Sequence, residues 1–215
     1  MSKQEVILGD CLEVMKGFAD KQFDLVLTDP PFGLDMGKAE NHKQGKYGKQ
    51  SNYHESSDWD SSIPSREYFD EIFRVSKNQI ICGGNYFTDF LPARRCWIVW
   101  DKINDGFYST SDGELIWTSF DSALRFFRRA HGMDKGFMTK KAGFGNVHPT
   151  QKPLELMRWL IGKFSNEGDT ILDPFAGSGT TGVAAKQLKR DCTLIEISPK
   201  YVEIIKSRLS QESLF

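Results

Sequence analysis

Ile171-Leu172-Asp173-Pro174-Phe175-Ala176-Gly177-Ser178-Gly179-Thr180-Thr181-Gly182 reads as a buried strand, a glycine turn and the first turn of a helix. Small residues at such a turn let a ligand approach the backbone closely. The helix start offers unpaired N–H groups to a negative group. Glu196 ends the next strand, 19 residues after Gly177, where an acid can accept hydrogen bonds from two hydroxyls of a bound ribose. No Lys-Ser/Thr follows the glycines, which excludes a phosphate-binding loop. The plain alternative is a tight turn without ligand and a solvated Glu196. Only 33 residues follow Gly182, too few to complete an open sheet. This unit must therefore pair with strands that came earlier in the chain.

Those strands can be found. Val6-Ile7-Leu8, Phe23 to Thr28, Gln79 to Cys82 and Cys96 to Trp100 are short apolar runs bounded by polar or turn residues. Glu114 to Phe120 and Ser122 to Phe127 read as strands near a sheet edge. Helical spacing is present over Cys11 to Phe18, Ser65 to Val75, Asn85 to Phe90, Leu154 to Phe164, Thr180 to Leu188 and Lys200 to Leu209. Ser65 is a candidate cap. Strands alternating with helices of this length predict an α/β fold with a mostly parallel, doubly covered sheet.

One corner stands out. Asp29-Pro30-Pro31-Phe32 follows the Phe23 to Thr28 strand directly. Two prolines fix two φ angles and remove two donors, so the corner presents only acceptors: carbonyls and the Asp29 carboxylate. Phe32 adds a flat ring. A strand-terminating turn with a buried Phe is the bland reading. The sharper one is a site for the amino group of a nucleobase, a poor nucleophile whose lone pair is delocalised. Accepting both of its N–H bonds, at Asp29 and at the Pro30 carbonyl, favours a pyramidal nitrogen, and Phe32 can stack on the ring. The base must first leave the duplex.

Composition is that of a globular chain, with 39% hydrophobic and 27% charged residues and a net charge of −1. The start has no long apolar run, which argues against a secretory signal. No run approaches the length of a membrane span. Cys11, Cys82, Cys96 and Cys192 are dispersed, with no zinc-ligand spacing, so no metal is expected. The charge is uneven. Between Ser122 and Lys152 seven cations, among them Arg128, Arg129, Lys140 and Lys141, face one acid, Asp134. A second basic stretch holds Lys43 and Lys46. Two solvated loops, or two arms that hold phosphates, account for this.

Taken together the motifs resemble the DNA amino-methyltransferases of the adenine-N6/cytosine-N4 family, in the permuted beta-group order. There the Asp-Pro-Pro-aromatic motif precedes the glycine motif. Gly9-Asp10-Cys11-Leu12 is similar to the segment that contacts the cofactor adenine, although Asp10 alone reads as a helix cap. His148-Pro149-Thr150-Gln151-Lys152-Pro153 resembles the segment before the cofactor turn. Phe32 stands where the family more often has Tyr, and the 128–147 segment is short for a target-recognition region.

The resemblance implies a single S-adenosylmethionine-dependent methyltransferase domain over 1–215. It has a Rossmann-like fold, an antiparallel edge strand and circularly permuted motifs, with insertions at about 33–62 and 128–147. Asp29, Pro30, Pro31 and Phe32 would be catalytic. Asp10, Cys11, Lys152, Asp173, Phe175, Gly177, Gly179, Thr180 and Glu196 would bind S-adenosylmethionine. Lys43, Lys46, Arg128, Arg129, Lys140 and Lys141 would contact DNA. The implied substrate is a flipped adenine in double-stranded DNA, with cytosine N4, RNA and a non-catalytic nucleic-acid-binding module as alternatives. A cytoplasmic monomer or homodimer with no membrane partner is expected.

Overall fold

The computed structural model describes residues 2–34, 62–103, 111–129 and 151–211. Among these, eight strands form one sheet. They are β1 (Gln4–Leu8), β2 (Phe23–Thr28), β3 (Ser76–Cys82), β4 (Trp97–Asp101), β5 (Gly113–Thr118), β6 (Arg125–Arg128), β7 (Thr170–Asp173) and β8 (Asp191–Glu196). The spatial order is β1-β8-β7-β2-β3-β5-β4-β6. All neighbours are parallel except that β5 runs against both β3 and β4. The reversed strand therefore lies third from its edge, with β4 and β6 beyond it.

The helices are α1 (Cys11–Met15), α2 (Arg66–Val75), α3 (Leu154–Phe164), α4 (Thr180–Gln187) and α5 (Pro199–Ser210). On one face of the sheet, α3, α4 and α5 bury Leu156, Leu160, Ala184, Ala185 and Ile205 against Leu25, Leu27, Ile80 and Ile171. On the other, α1 and α2 cover Val26, Leu172 and Ile195 with Cys11, Met15, Ile72 and Val75. Both faces of the central strands are thus sealed, which explains why β2 reads as a nearly continuous apolar run rather than an alternating one. Among the described residues, no helix is long and apolar enough to cross a membrane.

Several boundaries differ from expectation. The helix from Cys11 stops at Met15, because Gly17 and Phe18 donate to Val14 and Met15 in tighter turns. Ser65 precedes α2 without a side-chain cap bond. The region from Asn85 to Phe90 forms only a 3₁₀ turn at Gly84–Tyr86, followed by turns. Two consecutive glycines there favour a tight bend over a nucleated helix.

The strand ending at Thr28 lies directly beside the strand ending at Asp173, with Val26 opposite Leu172. From this junction the chain order runs outward in both directions, through β2 to β3 on one side and β7 to β8 on the other. It is the switch point of the sheet, where the carboxyl ends of adjacent strands leave a crevice.

Candidate active site

The crevice is framed by the two bends. Thr28 Oγ1, at the end of β2, donates to Asp173 Oδ1 at 2.8 Å, and both residues are buried. Residues 145 apart in sequence are thereby tied at one rim. The same Asp173 oxygen accepts from the Phe175 N–H at 3.2 Å, which sets the start of the glycine turn.

Burial pushes the Asp173 carboxyl up to about 6, opposed by hydrogen bonds from Thr181, Thr28 and the Phe175 N–H, with the nearby Asp29 charge adding to the rise. Its ordinary value is 3.8. Between the two values the folded state holds a proton that the unfolded chain has lost, so stability falls as pH rises through that window. The difference is on the order of 3 kcal/mol. Asp173→Asn keeps an acceptor for Thr28 and should remove this slope. Urea midpoints of the ligand-free protein measured from about pH 4 to 7 check it; an unchanged slope in the variant would assign the titration to another group.

Asp29 sits half-buried just past the end of β2, followed by the buried Pro30. Its two oxygens lie 2.8 Å from the Lys152 ammonium. Lys152 was expected to shape the cofactor pocket, yet its side chain is directed to the proline corner instead. The neighbouring Gln151 is the one that reaches the glycine turn, with its Oε1 accepting from Ser178 Oγ at 3.3 Å. Lys152 is buried and also pairs with Glu114 Oε1 at 3.1 Å. Burial alone would lower the Lys152 pKa, but the Asp29 and Glu114 carboxylates outweigh it and hold the ammonium well above its ordinary range.

Asp29, Cys82 and Glu114 place one ligand atom each within 4.8 Å of one another, a spacing that could hold a metal ion. The Lys152 ammonium already lies against both carboxylates, so this cluster needs no metal to balance its charge. Burial pushes the Cys82 thiol well up, with the Asp29 charge adding to it, which keeps the sulfur neutral.

Phe32 lies against Gly83, which has φ +65°; a Cβ there would come within 2.2 Å of the Phe32 ring. Only glycine takes this backbone and leaves room for the ring. Tyr86 stacks on Phe32 with centroids 4.7 Å apart and planes at 14°. The Lys152 ammonium is 5.2 Å from the same ring's centroid. Gly83, Tyr86 and Glu114 were not singled out from sequence. The pair Gly83-Gly84 beside an aromatic was the available signal for the first two.

The other half of the crevice suits an adenosine with a charged tail. Gly177 (φ +52°) has open space where a Cβ would stand, and Gly179 (φ +78°) packs against Ile205 too closely for any side chain. Glu196, at the end of β8, accepts from the Gly177 N–H at 2.8 Å through one oxygen and from the Ser198 N–H at 2.9 Å through the other. A further lone pair remains for a ribose hydroxyl. Burial raises its carboxyl, and hydrogen bonds from the Ser198, Gly177 and Ile197 N–H groups counter that.

Asp10 is the cap of α1, accepting from the Leu12 N–H at 2.8 Å. Its other oxygen accepts from the Tyr68 hydroxyl at 3.1 Å, and the Tyr68 ring lies 6.0 Å from that of Phe175. Cys11 is buried beneath, its thiol pushed up by burial and by Asp10. Arg208 of α5 steadies the glycine turn, donating to the Ser178 carbonyl and to Thr180 Oγ1. The open face over Gly177, flanked by two acidic acceptors, fits S-adenosylmethionine.

Of the basic residues, Arg128 ends β6, pairs with Asp101 at 3.3 Å and lies over Phe126. The main chain of Arg129 is fixed to Asp101 and Trp100. Lys43, Lys46, Lys140, Lys141 and His148 lie outside the described residues. Lys152, buried and paired, does not belong to the basic arm in which the sequence places it.

A family model described as DNA methylase matches residues 99–207. The chain is 27% identical over 246 residues to the type II methyltransferase M.HpaI of Haemophilus parainfluenzae, covering 97% of this chain and 75% of that protein. It is 27% identical over 250 residues to the type II methyltransferase M2.DpnII of Streptococcus pneumoniae, covering 99% and 91%. Two solved structures share the fold. The cytosine-N4-specific PvuII DNA methyltransferase has a TM-score of 0.64 at 16% identity, covering 100% and 89% of the two chains. The M1.HpyAVI–SAM complex has a TM-score of 0.61 at 21% identity, covering 95% and 99%. With its proline corner and glycine turn joined at one rim and the family match spanning half its length, the chain belongs to the N6/N4 family of S-adenosylmethionine-dependent DNA methylases.

Proposed function

We propose that this DNA methyltransferase acts on the exocyclic N6 of adenine, taken out of the duplex into the crevice. The observation that carries the reading is the Asp29-Pro30-Pro31-Phe32 corner, fixed through Thr28 and Asp173 beside the glycine turn. S-adenosylmethionine supplies a methyl group on a sulfonium that departs as a neutral thioether. Asp29 and the Pro30 carbonyl accept the two amino N–H bonds, so that the nitrogen lone pair turns toward the methyl carbon. The nitrogen then sheds one proton at an Asp29 oxygen, from which it passes to water. Phe32, with Tyr86 stacked on it, forms an aromatic wall for the base. Asp10 and Glu196 hold the adenosine, while Phe175, Gly177, Gly179 and Thr180 line the methionine end. Most of the acceleration is orientation, which supplies about 7–11 kcal/mol in favourable cases.

A second reading is cytosine N4, favoured by the likeness to the cytosine-N4-specific PvuII enzyme. Both amines present the same pair of N–H bonds to Asp29. Nucleoside mass spectrometry after incubation with DNA and S-adenosylmethionine separates them. N6-methyldeoxyadenosine is the expected product, and N4-methyldeoxycytidine as the sole product would overturn the adenine reading.

A further inference from the structure

β5 is the one strand of the described sheet that runs backward, and this has a local consequence. Its first residues, not its last, lie at the rim where β2 and β7 end. Glu114 is the second residue of β5 and stands opposite Trp100 in β4. Its side chain is only 12% exposed. Oε1 lies 3.1 Å from the Lys152 ammonium, and Oε2 lies 3.6 Å from Lys102, itself 12% exposed. Lys102 also rests 5.0 Å from the centroid of the Trp100 ring. Asp29, Lys152, Glu114 and Lys102 thus form a neutral chain of four charges running inward from the corner.

Asp29 and Lys152 alone would already be neutral. Burying a second pair costs further desolvation that a packed apolar side chain at the start of β5 would avoid. The extra carboxylate does something the simple pair cannot. With Lys152 donating to Asp29 Oδ2 and lying 2.8 Å from Oδ1, an arriving amino group finds its acceptor crowded by the ammonium. Glu114 gives the ammonium a second carboxylate on which to lean. Lys152 can release one Asp29 oxygen without leaving a buried donor unpaired, which would otherwise be expensive.

We propose that Glu114 is a positioning residue for methyl transfer: by sharing the Lys152 ammonium it frees one Asp29 oxygen to receive the amino group of the base. The inference rests on the reading of Asp29 as the base acceptor. Among the described residues, the charged and titratable groups facing Asp29 include Lys152 from the segment before α3, Glu114 from β5, the neutral Cys82 thiol from β3 and, through Thr28, Asp173 from β7.

The test is single-turnover methylation by the full chain with Glu114→Gln, beside Asp29→Ala and Lys152→Met. Glu114→Gln should lower the transfer rate about tenfold with S-adenosylmethionine affinity unchanged, because the loss is one of geometry at the reacting nitrogen. The acid limb of its kcat–pH profile should move to lower pH, since Asp29 then holds the ammonium alone; Lys152→Met should move the limb the other way. Glu114→Asp retains the charge at a longer reach and should give an intermediate rate, which keeps the question open to measurement if the Gln variant does not fold. A transfer rate and acid limb equal to wild type in Glu114→Gln, with Asp29→Ala inactive, would overturn the role of Glu114 alone. A wild-type rate in Glu114→Asp beside an unfolded Gln variant would overturn it equally, as a structural charge. An active Asp29→Ala would overturn the reading of the site on which it rests.

Discussion

Replacing Asp29 by alanine is expected to lower kcat by about a thousandfold while leaving the affinity for S-adenosylmethionine essentially unchanged. The magnitude follows from removing the group proposed to orient the amino group and take its proton, a role in which one positioned side chain is usually worth about 10² to 10⁴. The cofactor should be spared because Glu196 is fixed by the Gly177 and Ser198 N–H groups and Asp10 by the start of α1, none of which touches Asp29. Folding should survive, since Lys152 retains Glu114 at 3.1 Å. Rapid-quench methylation and calorimetric titration of the cofactor measure the two halves separately. Turnover near wild type would remove Asp29 from the chemistry, and a parallel loss of cofactor binding would make it a structural residue.

The second large effect is expected at Lys152. Lys152→Met should destabilise the fold by about 3 kcal/mol near neutral pH, because two half-buried carboxylates lose the cation between them. Transfer should also fall by about a hundredfold or more as Asp29 loses its anchor. The pH dependence distinguishes this loss from mere mispacking. The ammonium is held above its ordinary value of 10.5, so in the wild type its contribution is fully present below that value and fades only in strong alkali. In the variant no ammonium offsets the two carboxylates, so the stability gap should be widest near neutral pH and narrow on acidification. Urea denaturation of both proteins across pH checks this; a gap that stays constant on acidification would mean that packing, not charge, is what Lys152 supplies.

The sequence made the two bends legible because each is punctuated locally. The apolar run Phe23 to Thr28 stops at two prolines, and Ile171 to Asp173 stops at a glycine turn, so neither reading needed to know the neighbours. Their convergence could be argued as well, since several strand candidates precede the glycine turn and offer it partners. What escaped was whatever depends on who stands opposite whom. Lys152 was grouped with the glycine turn it precedes, but its long side chain bridges to Asp29, 123 residues away. Glu114 looked like an ordinary polar residue at a strand start, because its meaning comes from the reversed direction of β5. Tyr86 seemed to belong to a helix, but the twin glycines turn the chain tightly enough to lay its ring on Phe32. Asp10 was readable both ways and is, in the fold, the cap of α1.

The pairing of β1 also bears on how the molecule is made. β1 precedes the other described strands in sequence, yet its one partner among the described strands, β8, follows them all. Until β8 is in place, the backbone groups of β1 on that side have no native ladder to join, and such an edge is prone to mispairing. Closing contacts of this span is slow compared with local ones. Assembly of the sheet should therefore finish at the β1–β8 seam. That seam also carries Gly9 and Glu196, joined by a hydrogen bond at 3.0 Å. The half of the crevice around Glu196 is then the last part of the fold to take shape, and on refolding it should form after the β2–β7 junction.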